Sequence, residues 1–325
     1  CPLWKQKRAR FSVNDIVFPL HIFCDGVECN NPLGSHNRVL DAVYASLPCL
    51  PSECQSLIEN VFLVYLYEYS LRKDFTDKEI FAHLISMLKS LEDDGILVQT
   101  NDGEKRIYFV TCLLLADNKA MNSLGGFVEG FTANYFCRFC KAFIDDTRTQ
   151  AIEMPNLLRD EISYAEDVAA CAPILTGVKS DCFLNALPSF HITSNYSVDI
   201  FHDLAEGCCH YVVVHVLKHC IPKFFTLETL NDRISSFYFG LCESNNIPLI
   251  NDNRLNEGCT KLRMSGSETM MFVKYLGLLV GDLIPENDDY WLLFLKLRQV
   301  IDICFSKCIT ASTSTSLRIL VEEFN

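Results

Sequence analysis

RIYFVTCLLLAD, at positions 106–117, decides how the rest of the chain is read. After Arg106 the run carries no charge until Asp117. A stretch this apolar, rich in β-branched and aromatic side chains, suits a central strand buried on both faces. A second such run, VFPLHIFC at 17–24, is closed in the same way by Asp25. Between the two lie residues 40–47 and 60–67, rich in Val, Leu and Tyr, which read as two more strands, the first closed by Pro48. Residues 77–91 place Ile80, Leu84, Ile85, Met87, Leu88 and Leu91 at helical spacing. Thr76 and Glu79 form a capping box at the start of that helix, and Asp93-Asp94-Gly95 ends it. A short strand at 96–98 and a turn at 101–103 lead into the opening run. Three strands, a helix and another strand predict an α/β core with a mixed sheet, in which acids close the first strand and the last.

Downstream the pattern loosens. Residues 118–140 are punctuated by glycine and read as a helix carrying Cys137 and Cys140 near its end. Residues 145–190 are polar and contain Pro155, Pro173 and Pro188, as expected of an insertion or an irregular helical region. A short strand is expected at 196–201, a helix at 203–218, and a mostly helical remainder that includes 268–283 and 290–306. The predicted organisation is a basic N-terminal segment at 1–16, an α/β core at 17–220 with the insertion at about 145–190, and a helical region at 221–325.

Composition narrows the class. The chain has 325 residues, 49% hydrophobic and 21% charged, which excludes a disordered tail, a collagen-like repeat and a small disulfide scaffold. With 28 Lys+Arg against 41 Asp+Glu the net charge is −13, too acidic to wrap nucleic acid unaided. The best apolar stretch, 270–284, is interrupted by Lys274 and Asp282 and falls short of the roughly 20 residues a membrane span needs. Lys5, Lys7, Arg8 and Arg10 are followed by no apolar leader core. They read as a solvated tail. The first residue is Cys1, as expected of an internal piece of a longer chain. Seventeen cysteines without a leader point to a reducing, intracellular setting.

Three groups of residues could carry chemistry. Asp25 and Asp117, at the ends of neighbouring strands, offer the oxygen donors that Mg²⁺ or Mn²⁺ prefer, and a third acid would complete such a site. The competing reading is that an Asp after a strand caps a turn. Cys137 and Cys140 are a C-x-x-C pair with zinc spacing, although the same spacing suits a redox pair or two buried thiols. Four of the eight histidines, His202, His210, His215 and His219, cluster in the helical stretch beyond them and could supply the rest of a Cys₂His₂ site. The stretch LGGF at 124–127 is no phosphate loop, because no G-K-[ST] follows it. The apolar helix at 290–306 reads as core packing.

CDGVECNNPLGS (24–35), LADNKAMNSLGGFVEGFTANYFCRFC (115–140), VDIFHDLAEGCCHY (198–211) and MSGSETMMFVKYLGLLVGDLIPENDDYW (264–291) together resemble transposases of the CACTA (En/Spm) superfamily in its animal form. The block NYFCRFC is the most specific part. The resemblance implies an RNase H-like catalytic core with an acidic triad, and metal-dependent DNA strand cleavage and strand transfer. It makes Asp25 the first acid and Asp117 the second. Glu206 is the first choice for the third, because it opens the helix after the last expected strand. Glu268 is its rival, at the start of a strongly apolar helix. Glu28 and Asp199 lie close in sequence as alternative ligands, and Gly26 stands where the family pattern carries a further acid. His210 and His215, spaced H-x-x-x-x-H, resemble the histidine half of the zinc site of RAG-type recombinases, with His202 as the alternative ligand. The implied partners are DNA, meaning transposon ends and target, bound through segments outside this stretch, and a second copy of the chain. The implied compartment is the nucleus. A second reading is a catalytically inactive, zinc-stabilised scaffold that binds protein partners.

Overall fold

A computed structural model describes residues 2–28, 39–55, 57–240, 246–251, 255, 258–306 and 308–324. The chain divides into two compact units, Cys1–Val198 and Asp199–Asn325. The division falls ahead of the boundary expected at 220, a position inside the helix Cys209–Lys223 of the second unit.

The first unit is built on five strands: β1 (Ile16–Glu28), β2 (Val39–Ser46), β3 (Val61–Glu68), β4 (Ile96–Thr100) and β5 (Gly103–Leu115). Their order across the sheet is β3-β2-β1-β5-β4. The first three form an antiparallel meander, β5 runs parallel to β1, and β4 is an antiparallel edge strand on β5. This is the mixed sheet expected of an RNase H-like core. The two apolar runs occupy the middle, where Leu20, Ile22, Val110 and Leu114 are buried. The middle of the sheet is its most buried place, and these two segments are the most apolar of the five strands.

Two boundaries differ from expectation near the acids. Strand β1 does not end at Asp25. It continues to Glu28 because β2 offers a ladder partner as far as Val39, so that Asp25 sits inside the sheet opposite Ala42. The strand expected at 196–201 reduces to a single parallel bridge between Tyr196 and Leu114, in which the Leu114 amide donates to Asn195 O at 2.8 Å and the Ser197 amide to Leu114 O at 3.2 Å.

Helices cover one face of the sheet. The expected capping box forms, with the Glu79 amide on Thr76 Oγ1 at 3.3 Å and the Thr76 amide on Glu79 Oε2 at 2.8 Å. The helix then breaks once, at Phe81, into Asp77–Ile80 and Ala82–Asp93. The Phe81 ring is fully buried and stacks on Phe183 at 4.1 Å, and that packing outweighs helical continuity. Leu84 and Leu88, one turn apart, face the sheet.

The helix expected over 118–140 ends at Leu124. Gly126 has φ +72°, and a Cβ there would lie 1.9 Å from Ser180 O, so the chain turns at the one residue type that fits. Cys137 and Cys140 therefore lie in irregular chain, where Cys140 bridges Leu158. The 145–190 stretch is the irregular helical region expected, with short helices such as Glu161–Ala170 and Pro173–Thr176, and it buries Tyr164, Val178, Phe183, Leu184 and Leu187 in the same core as the sheet. Burial there does not follow residue type, since Arg159 and Asp167 are buried while Ile162, Ile174 and Leu175 are exposed, a pattern without a period to detect.

The second unit is helical, as expected. Cys209–Lys223, Gly266–Val280 and Asp289–Cys304 bury Val213, Leu217, Phe272, Leu276, Trp291 and Phe294 in one core. It opens with a π-helix, Phe201–Cys208. Among the described residues no helix is long and apolar enough to cross a membrane.

Candidate functional site

Because β1 and β5 are parallel and Phe23 pairs with Leu115, Asp25 and Asp117 follow two residues later at the same edge of the sheet. Adjacent strands lie about 5 Å apart, so the register alone brings the two acids near each other. Both line a cavity of about 290 Å³. Asp25 is exposed, while Asp117 is half-buried. Asp117 also does what an Asp after a strand commonly does: its Oδ1 accepts the Ala120 amide at 2.7 Å and caps the helix Asn118–Leu124.

The same cavity is lined by Asp41, Glu129, Arg72 and Lys119, none of which stands out in the sequence. Asp41 is the informative case. It lies in β2 directly across from Gly26 and is buried, and its Oδ2 accepts the Tyr67 hydroxyl at 2.6 Å. A carboxylate inside the apolar strand VLDAVYAS was the available signal, because burying an unpaired charge is costly. Arg72 answers that charge, with Nε 3.9 Å from Asp41 and 3.5 Å from Asp77. It donates from Nε to the Tyr67 hydroxyl at 3.0 Å and from a terminal nitrogen to Ser123 Oγ at 2.6 Å. Burial raises the Asp77 carboxyl, and Arg72 works against that rise. Burial, with Asp41 next, pushes the Cys24 thiol up to about 12. Glu129 is paired with Lys179 at 2.6 Å.

Both rivals for the third acid belong to the second unit. Glu206 lies on the π-helix with its carboxylate about half exposed. Its Oε2 is 3.8 Å from His202 Nε2, and His202 Nδ1 donates to Asp199 Oδ2 at 2.6 Å. A π-turn is uncommon and recurs at functional sites. Gly266 allows the close approach: a Cβ there would meet Phe201 Cζ at 2.5 Å and Glu206 Cγ at 3.0 Å. Glu268 is engaged otherwise. Its Oε2 accepts the Ser265 amide at 2.7 Å and the Ser265 hydroxyl at 3.0 Å, closing a capping box on the helix Gly266–Val280. The backbone of Glu28 pairs with Val39, and residues 29–35 of the first resembling block lie outside the described residues.

The cysteine pair is together. A hydrogen bond with the Cys140 thiol lowers Cys137 to about 6 against the opposing effect of burial, and the same bond, with burial, raises Cys140. The pair borders a second cavity of about 400 Å³ with Phe139, Met154 and Tyr196. The two expected histidine ligands do not converge. His210 is buried, with Nε2 3.3 Å from Thr269 Oγ1, and burial and then Lys261 lower its pKa, whereas His215 is exposed. Five residues apart on a helix, they point about 140° away from each other. His219 is taken up by Asp288 at 2.8 Å and stacks on Tyr290 at 4.0 Å. Among the described residues no three His, Cys, Asp or Glu side chains are gathered as a metal-ligand group.

The thiol pair makes its own prediction. Near neutral pH Cys137 should be mostly thiolate and alkylate more than about tenfold faster than Cys24 or Cys182, both pushed up to about 12 by burial. Its rate should rise as pH climbs through about 6, followed by peptide mass spectrometry. Labelling that begins only at ordinary thiol pH would refute the assignment. Protection that a chelator removes would show both sulfurs engaged by zinc.

No protein-family model matches the chain, and no curated protein matches it.

Proposed function

We propose that this chain is the catalytic region of a transposase-like polynucleotidyl transferase, of the CACTA (En/Spm) type, that cleaves and transfers DNA strands with divalent metal. One observation supports this reading above the rest: Asp25 and Asp117 follow matched positions of adjacent parallel strands and face one cavity. Their oxygen donors suit a hard cation. Mg²⁺ or Mn²⁺ held there would supply the charge that activates an attacking water or 3′-hydroxyl and stabilises the leaving oxygen.

The chain's own residues divide the remaining tasks. Asp25 would bind the ion from the sheet. Asp117 uses Oδ1 for its helix and would offer Oδ2. Glu206 is the proposed third acid, since Glu268 spends its carboxylate on Ser265. Lys119, exposed on the cavity wall, would meet a phosphate oxygen, while Arg72 is committed to neutralising Asp41 and Asp77. Zinc is proposed at Cys137 and Cys140 as far as the two thiols go. Helix geometry argues against His210 and His215 serving one ion together, which keeps His202 as the alternative. DNA bound through further segments, self-association and a nuclear location belong to the same proposal.

The second reading, an inactive scaffold for protein partners, draws on a different feature. Edge strand β3 exposes Phe62, Leu63 and Leu66, an unusual display for a sheet edge. Titrating the protein with Mn²⁺, followed by the electron paramagnetic resonance of the free ion, separates the two. Binding that Mg²⁺ displaces is the expected result. Folded protein that binds no Mn²⁺ would move the assignment to the scaffold.

A further inference from the structure

We propose that Arg138, in the centre of the CRFC block, is a positioning residue for Asp117. The inference rests on the reading above, in which Asp117 is a metal-binding acid. Arg138 is 5% exposed, a buried guanidinium that lies 20 residues along the chain from Asn118 and 16 from Asn122 in the helix it serves. One terminal nitrogen donates to Asn118 Oδ1 at 2.8 Å and the other to Asn122 Oδ1 at 3.4 Å. Asn118 and Asn122 are four apart and share one helix face, so a single planar fork spans the first turn. Asn118 directly follows Asp117. The Asn122 amide is itself oriented, because its Nδ2 donates to Val128 O at 2.9 Å and Phe136 O at 3.3 Å.

A second route ties the same block to the strand that precedes Asp117. The Arg138 guanidinium lies 4.4 Å over the Phe139 ring, Phe139 packs on Tyr196 at 4.8 Å, and Tyr196 bridges Leu114 of β5. The helix Asn118–Leu124 needs such support. It has seven residues, and isolated helices of that length are marginal in water. Arg72 holds its far end through Ser123, leaving Arg138 to hold the end where the acid sits. Lysine, a point charge on a flexible stem, cannot serve both asparagine oxygens with the same geometry.

The test uses the whole chain with two readouts. The first is hydrogen exchange at the Ala120 amide, which reports the bond to Asp117 Oδ1 without any metal. The second is Mn²⁺ affinity. Arg138→Lys and the milder Asn118→Ala should each speed Ala120 exchange and weaken Mn²⁺ binding by about tenfold, as loss of a ligand's supporting partner does. Amides of the helix Ala82–Asp93 should keep their protection. In an Asp117→Asn background Arg138→Lys should cause no further loss of Mn²⁺ affinity. Unchanged Ala120 exchange in both single variants overturns the proposal, and so does an equal loss of affinity in the Asp117→Asn background. Should the parent bind no Mn²⁺, the functional reading fails, while Ala120 exchange still decides the role of Arg138.

Discussion

Asp25→Asn and Asp117→Asn are each expected to lower metal-dependent DNA cleavage by at least about a thousandfold while the fold stays intact. Asparagine is the right replacement, because it removes the charge and keeps the shape. At position 117 it also caps a helix as well as aspartate does, so the Ala120 bond survives and lost activity cannot be blamed on a frayed helix. Alanine at the same place would cost about 1 kcal/mol of capping and blur the result. Glu206→Gln and Glu268→Gln, made side by side, then assign the third acid. Glutamine at 268 preserves the capping box with Ser265, and only the true ligand should reproduce the loss seen at the two aspartates. The measurement is cleavage of DNA bearing the element's ends in the presence of Mn²⁺. If Asp25→Asn cuts as well as its parent, the acidic assignment is wrong.

Arg159→Met is expected to be the most damaging single change to stability in the first unit, by about 3–5 kcal/mol. The Arg159 side chain is 1% exposed and donates to Asp167 Oδ2 at 2.7 Å, to Thr176 O at 2.6 Å and to Cys137 O at 3.2 Å. It thereby joins the helix Glu161–Ala170, the turn before Gly177 and the cysteine block. Methionine fills most of the volume but leaves the two carbonyls without that donor. Asp167 would keep Lys141 at 3.1 Å as its remaining ion-pair partner. Urea unfolding reads the loss directly, and the melting temperature should fall on the order of 10 °C. Arg159→Lys should recover only part, because an ammonium cannot face three acceptors in one plane. A loss below about 1 kcal/mol would mean that the ion pair is replaceable by packing.

The central sheet is legible because its signals are local and strong. The runs at 17–24 and 106–116 are too apolar to lie anywhere but in the middle, and the acids that follow them stand at the same end of the parallel pair. The candidate site is legible to the same depth. Asp25 and Asp117 follow from their strands, but Asp41 does not, since its neutralisation by Tyr67 and Arg72 comes from residues more than twenty positions away. The course of the chain after Leu124 is opaque for a related reason. What bends it is the clash a side chain at Gly126 would make with Ser180, a contact that no periodicity records. The histidine pair shows another limit of spacing. Spacing alone suggested a ligand pair, whereas burial of Val212, Val213, Val214 and Val216 turns one histidine inward and leaves the other outside.

The π-helix Phe201–Cys208 carries a consequence for how this chain tolerates genetic change. A π-turn holds one more residue than the α-turn it replaces. An in-frame loss of one codon between Asp203 and Ala205 would let the segment close as an ordinary α-helix. The side chains on either side of the lost codon would keep their phase, and His202 and Glu206 would stand three apart, a spacing that still shares one helix face. Every side chain on either side of the lost codon would keep its identity. A one-residue deletion is thus absorbed in this stretch, whereas the same loss inside the helix Cys209–Lys223 would turn everything before it by about 100°.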